Sequence, residues 1–113
     1  MSTDLSPEGL RVQLAGPSPP LVIDVRKPEA FRSEPATIPG AIWRDPAALA
    51  GWSAVLPRGR LLVVYCVHGH EVSHGARDAL RHQGFEASLL AGGLAGWRAA
   101  GGEVVRGAQG DRP

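Results

Sequence analysis

Apolar residues in this chain gather in short runs separated by helix-spaced segments, and that alternation sets the first expectation of the fold. Leu21-Val22-Ile23-Asp24-Val25, behind the loop Pro17-Ser18-Pro19-Pro20, is rich in β-branched residues and predicts a strand buried on both faces. Leu61-Leu62-Val63-Val64-Tyr65-Cys66 is the most apolar segment and predicts the central strand of a parallel sheet. Ile38-Pro39-Gly40-Ala41-Ile42-Trp43 predicts a turn feeding a second short strand, and Phe85 to Leu90 another strand. Helix signals lie between them. Ser6-Pro7-Glu8 offers a cap, a proline at the first helical position and an acid in the first turn, for a helix through Leu10, Val12 and Leu14 that stops at Gly16. Lys27 to Phe31 starts a short helix that Glu34-Pro35 ends. Asp45-Pro46 repeats the cap-and-proline signal for a helix over Ala47 to Leu56, weakened by Gly51 and stopped by Pro57. Ser73 reads as the cap of a helix using Ala76 and Leu80, with Ala79 beside them, which Gly84 closes. Gly92-Gly93 leads into a last helix, Leu94 to Ala100, and in the Gly-rich tail from Gly101 only Val104-Val105 suits pairing.

Strands that alternate with helices predict an α/β fold, a mainly parallel sheet with helices on its faces and right-handed crossovers. In such sheets a ligand sits beyond the carboxyl ends of the strands, which is where Cys66 falls.

Composition narrows the function classes. A chain of 113 residues is material for one domain spanning 1–113. Fifteen Gly and ten Pro favour short elements and tight turns over large packed side chains, which implies modest stability. Twelve Lys and Arg nearly balance eleven Asp and Glu and are scattered, so nucleic acid is not an expected partner. No apolar run approaches the roughly 18 to 20 residues of a membrane helix, and the start MSTDLSPEG has neither the basic nor the apolar part of a secretory signal. The expectation is a soluble, cytoplasmic protein without a membrane partner. The single cysteine excludes an internal disulfide, and with histidines at 68, 70, 74 and 82 it fits no structural zinc pattern, so neither metal nor cofactor is expected.

Cys66 carries the candidate chemistry. A buried strand delivers it, Gly69 lets the loop from Val67 to Val72 curl tightly, and Ser73 starts a helix. Such a loop forms a nest of backbone N–H groups at a helix N-terminus, which favours a thiolate and would also hold a persulfide anion formed on it. A free cysteine ending a core strand is more often plain packing, but strand, glycine loop and serine together favour an activated thiol. Val67, His68, Gly69, His70, Glu71, Val72 and Ser73 are therefore the candidate substrate-binding residues. Loop histidines and acids are commonly just solvated, and His74 and His82 on the helix receive no role. Glu71 suits a general base toward an incoming thiol, against the alternative of a surface acid. Trp43, Trp52 and Trp97 read as core or rim packing, with Trp43 the candidate for the pocket mouth.

Four segments in order carry a family resemblance: Ile23-Asp24-Val25-Arg26, Ile38-Pro39-Gly40-Ala41-Ile42, Val64-Tyr65-Cys66-Val67-His68-Gly69, and Leu89-Leu90-Ala91-Gly92-Gly93 with Trp97. Singly they are weak, but in this order and spacing the chain resembles a single-domain rhodanese from about Leu21 to Gly101, leaving 102–113 as a tail. The resemblance implies a five-stranded, mainly parallel sheet flanked by helices in three layers. It also implies sulfur transfer through a Cys66 persulfide, with Asp24 and Arg26 as a supporting pair that holds neighbouring loops together. The donor would be a small molecule of thiosulfate or persulfide type. With no second cysteine, the acceptor must come from outside, as a thiol, a protein or cyanide.

Many members carry Arg five positions after the cysteine, where this chain has Glu71. A carboxylate there repels a dianion, so a low-molecular-weight or protein persulfide is favoured over thiosulfate, with His68 and His70 able to restore some positive charge. Ala36-Thr37 replaces the usual Gly-His before the Ile-Pro-Gly turn. The competing functions are a docking or sensor module of the same fold and, further off, a cysteine phosphatase or arsenate reductase. The latter needs a loop arginine for its oxyanion, and none lies between Cys66 and Arg77. No heptad or long edge motif is present, so the oligomeric state stays open.

Overall fold

A computed structural model of the protein describes residues 4–106. Its four parallel strands are β1 (Leu21–Asp24), β3 (Ile42–Trp43), β4 (Leu62–Tyr65) and β5 (Ala87–Leu89), in the order β3-β1-β4-β5. β4 is central and fully buried, as its apolar run predicts, with Ile23 beside Val64 on one flank and Val64 beside Leu89 on the other. Two short strands, β2 (Ala36–Thr37) and β6 (Val105–Arg106), pair antiparallel as a separate ribbon.

The five-stranded expectation is corrected to four. The edge beyond β5 is covered by a single parallel bridge, Leu5 to Leu90, because Ser6 caps a helix immediately afterwards and leaves no room for a longer strand.

Helices cover both faces. Alternation along the strands sends Val22, Val63 and Tyr65 to one side, where Leu10 of α1 (Pro7–Leu14) and Leu94 and Trp97 of α5 (Gly93–Ala99) meet them. Ile23, Leu62 and Val64 go to the other side, against Ala76 and Leu80 of α4 (Glu71–His82), with Leu49 and Trp52 of α3 (Leu49–Ser53) packed alongside. α2 (Pro28–Ser33) buries Phe31, which stacks on Trp43 with ring centroids 4.8 Å apart.

The helix expected over Ala47 to Leu56 is shorter and split, with a 3-10 turn over Pro46–Ala48 and then α3. Trp52 is the reason the segment stays compact, since its indole N–H donates to the Asp45 carbonyl at 2.8 Å and folds it back on its own cap. The pairing expected at Val104-Val105 is found one residue on, in β6, and the rest of the tail, 107–113, lies outside the described residues.

Candidate active site

Cys66 follows β4 at its carboxyl end and is 6% exposed. The chain then turns through Gly69, whose φ of +78° is a conformation that side-chain-bearing residues rarely adopt. Among the described residues, no acceptor pairs with the backbone N–H groups of residues 67 to 70. Glu71, Val72 and Ser73 form the first turn of α4, where a helix offers its N–H groups no partner. Seven consecutive donors are thus left unsatisfied in the loop that begins at the thiol, which is the composition of an anion nest.

Ser73 does not cap α4. Because the chain turns early at Gly69, His70 takes the cap position and Ser73 falls in the third helical place, fully buried. Helical side chains lean toward the N-terminus, and this one leans to the cysteine: the Cys66 thiol donates to the Ser73 hydroxyl at 3.2 Å, and that hydroxyl donates to the His70 carbonyl at 3.3 Å. If the sulfur is a thiolate, the same hydroxyl can rotate and donate to it.

A cavity of about 280 Å³ opens over the thiol, walled by Arg26, Lys27, Ala30, Val67, His68, His70, Glu71 and Val72. Of the residues singled out from the sequence, Val67, His68, His70, Glu71 and Val72 line it with Cys66, while Gly69 and Ser73 do not. The two imidazoles meet edge to face with centroids 6.1 Å apart. Trp43 is not on this wall. Its indole N–H instead donates to the Arg26 carbonyl at 2.8 Å, a consequence of its stacking on Phe31.

Asp24 and Arg26 are 0% and 2% exposed and joined at 2.7 Å. Arg26 also donates to the carbonyls of Glu34 at 3.0 Å and Ala36 at 2.9 Å, so each guanidinium nitrogen has a partner. The pair therefore ties the end of β1 to the segment leading into β2. The same charge bears on Tyr65, whose hydroxyl accepts from the Ile38 N–H at 3.2 Å. Burial, and then the Asp24 carboxylate beside it, push the Tyr65 pKa far above its ordinary value.

Three contributors were not assigned from the sequence. Lys27 and Ala30 reach the cavity because α2 begins right after Arg26, a placement that needs the tertiary fold. Gly93 was quoted only as part of a motif, yet it clamps the loop: a Cβ there would lie 2.5 Å from the Cys66 carbonyl oxygen and 2.6 Å from the Gly69 nitrogen. The following amides, of Leu94 and Ala95, donate to the Cys66 and Val67 carbonyls at 2.8 and 2.9 Å. Two glycines before a helix were the available signal.

This fold has known counterparts. The model of the rhodanese-like domain matches residues 6–100, and the chain belongs to that family. A rhodanese-related protein from Thermoplasma volcanium superposes with a TM-score of 0.79 at 24% identity, over 92% of this chain and 98% of its own. A thiosulfate sulfurtransferase from Pseudomonas aeruginosa gives 0.81 at 23% identity, over 97% of this chain and 20% of the larger protein. A Rhodopseudomonas palustris protein described as a possible tyrosine phosphatase gives 0.78 at 22% identity, over 92% of this chain and 85% of its own. None of the curated proteins compared with the chain is similar enough to match.

Proposed function

We propose that the protein is a sulfurtransferase: Cys66 takes a sulfane sulfur from a small donor, holds it as a persulfide, and passes it to an external thiol or cyanide. The observation that carries this reading is the loop from Cys66 to Ser73, with its seven unsatisfied N–H groups and the Ser73 hydroxyl 3.2 Å from the sulfur. A thiolate attacks the outer sulfur of the donor, the donor's sulfur bond breaks, and the bonding pair leaves with the departing group. The nest suits both charge states, the attacking thiolate and the persulfide anion that replaces it.

A phosphatase would need a guanidinium free to grip a tetrahedral oxyanion. The one arginine on the cavity wall is Arg26, and its nitrogens are already committed to Asp24 and two carbonyls. A docking or sensor module accounts for the fold but gives no reason for an open cavity over the thiol.

The test is intact mass measurement after exposure to thiosulfate or to a persulfide donor. The wild-type protein gains the mass of one sulfur atom and loses it on adding cyanide, whereas Cys66→Ser gains nothing. A protein whose thiol alkylates at neutral pH but accepts sulfur from no donor would be a sensor or docking module instead.

A further inference from the structure

Two charged side chains on the wall of the Cys66 cavity take no part in the transfer just described. Lys27 precedes α2 and Glu71 opens α4, and both line the cavity over the thiol. Both also line a neighbouring cleft of about 720 Å³, so they stand where the two spaces meet. Each is exposed, and neither forms an ion pair with the other or with any described residue. Histidines aside, the remaining charge on the wall is Arg26, which Asp24 neutralises. The thiol is therefore approached past one unpaired cation and one unpaired anion, with Ala30, Val67 and Val72 supplying apolar wall between them.

A dianion gains at Lys27 what it loses at Glu71. A molecule that carries an ammonium and a carboxylate at once gains at both. At about 280 Å³ the cavity is also smaller than the roughly 300–1,000 Å³ typical of sites for drug-sized ligands, and suits something of amino-acid size. We propose that the sulfur donor is a zwitterionic low-molecular-weight persulfide of the α-amino-acid type, its carboxylate bound at Lys27 and its ammonium at Glu71. This rests on the sulfurtransferase reading. The transfer balances without an outside redox partner: the Cys66 thiolate attacks the outer sulfur of R–S–SH, the sulfur–sulfur bond breaks, its electron pair leaves on R–S⁻, and Cys66 becomes Cys–S–SH. Lys27 and Glu71 set specificity and touch only the donor's charged ends.

The experiment compares three donors: cysteine persulfide, N-acetylcysteine persulfide, which lacks the ammonium, and cysteamine persulfide, which lacks the carboxylate. Rates of Cys66 loading are read by quench and intact mass, each normalised to that donor's reaction with a free small thiol. In the wild-type protein each stripped donor loads about fivefold more slowly than cysteine persulfide, the scale of an ion pair at a solvent-open rim. Glu71→Gln abolishes the penalty for N-acetylcysteine persulfide and keeps that for cysteamine persulfide, and Lys27→Met does the reverse. Both positions are exposed, so the variants fold, and the retained penalty in each serves as its own control. Equal loading of all three donors by the wild-type protein, or penalties that ignore the substitutions, would overturn the zwitterion proposal while leaving the transferase reading intact. Failure of all three donors while thiosulfate still loads Cys66 would overturn the zwitterion proposal alone, and failure of thiosulfate as well would overturn both.

Discussion

At the scale of single residues, the cavity rests on buried polar groups that satisfy one another. Tyr65 shows how tightly: its hydroxyl holds the Ile38 amide, while burial and the Asp24 charge keep it protonated far above its ordinary value near 10. The folded protein thus binds this proton more strongly than the unfolded chain does. Stability from this source is complete below about pH 10 and is lost as pH rises beyond it, because only the unfolded tyrosine ionises there. Chemical denaturation between about pH 9 and 11 should show stability falling in the wild-type protein and a flatter profile in Tyr65→Phe. At neutral pH that variant should be less stable by about 1 kcal/mol, from the lost hydrogen bond to Ile38. Thr37, the departure noted ahead of the Ile-Pro-Gly turn, contrasts with this, because among the described residues its buried hydroxyl finds no partner. The placement of Cys66 after the central strand and the glycine turn behind it could be read from the order of residues, and the Asp24–Arg26 pair from the family resemblance. The position of Ser73 could not, because a shift of the helix start by three residues converts a cap into a buried partner of the thiol.

At the scale of elements, the loop after β4 is shaped by the start of α5. Gly93 has a φ of +64°, and its missing side chain leaves room for the Cys66 carbonyl to reach the Leu94 amide. Gly93→Ala should therefore cost about 3 kcal/mol by thermal or chemical melting, combining a disfavoured backbone conformation with overlap against main-chain atoms. It should also slow sulfur loading of Cys66 at least tenfold, since the loop must shift to relieve the overlap. The strands β1 and β4 were legible because buried parallel strands are largely continuous apolar runs. The extent of α3 was not, since its alanines and Gly51 set weak limits and a contact from Trp52 to Asp45 decides where it stops.

At the scale of the molecule, the sheet divides the core into two apolar layers, one holding Ile38 and the other Ile23, both 0% exposed. Ile38→Val and Ile23→Val should each destabilise by about 0.5–1.5 kcal/mol. Because they lie on opposite faces, the double variant should show the sum to within about 0.5 kcal/mol in denaturant titrations. The layered architecture followed from the alternation of runs along the chain. The covering of the β5 edge by one bridge and the separate β2–β6 ribbon did not, since both depend on pairing between distant segments.

The clamp between the cysteine loop and α5 also bears on when the site comes into being. Cys66 lies near mid-chain, but the groups that fix the carbonyls of Cys66 and Val67 are Leu94 and Ala95, and the backbone packed on Gly69 belongs to Gly92 and Gly93. During synthesis, a ribosome-bound chain that has emerged only through β4 and α4 exposes the cysteine without its finished loop. The thiol that is made halfway gains its finished loop only when almost the whole domain has left the exit tunnel, so the assembled site is withheld from incomplete chains by the order of the sequence itself.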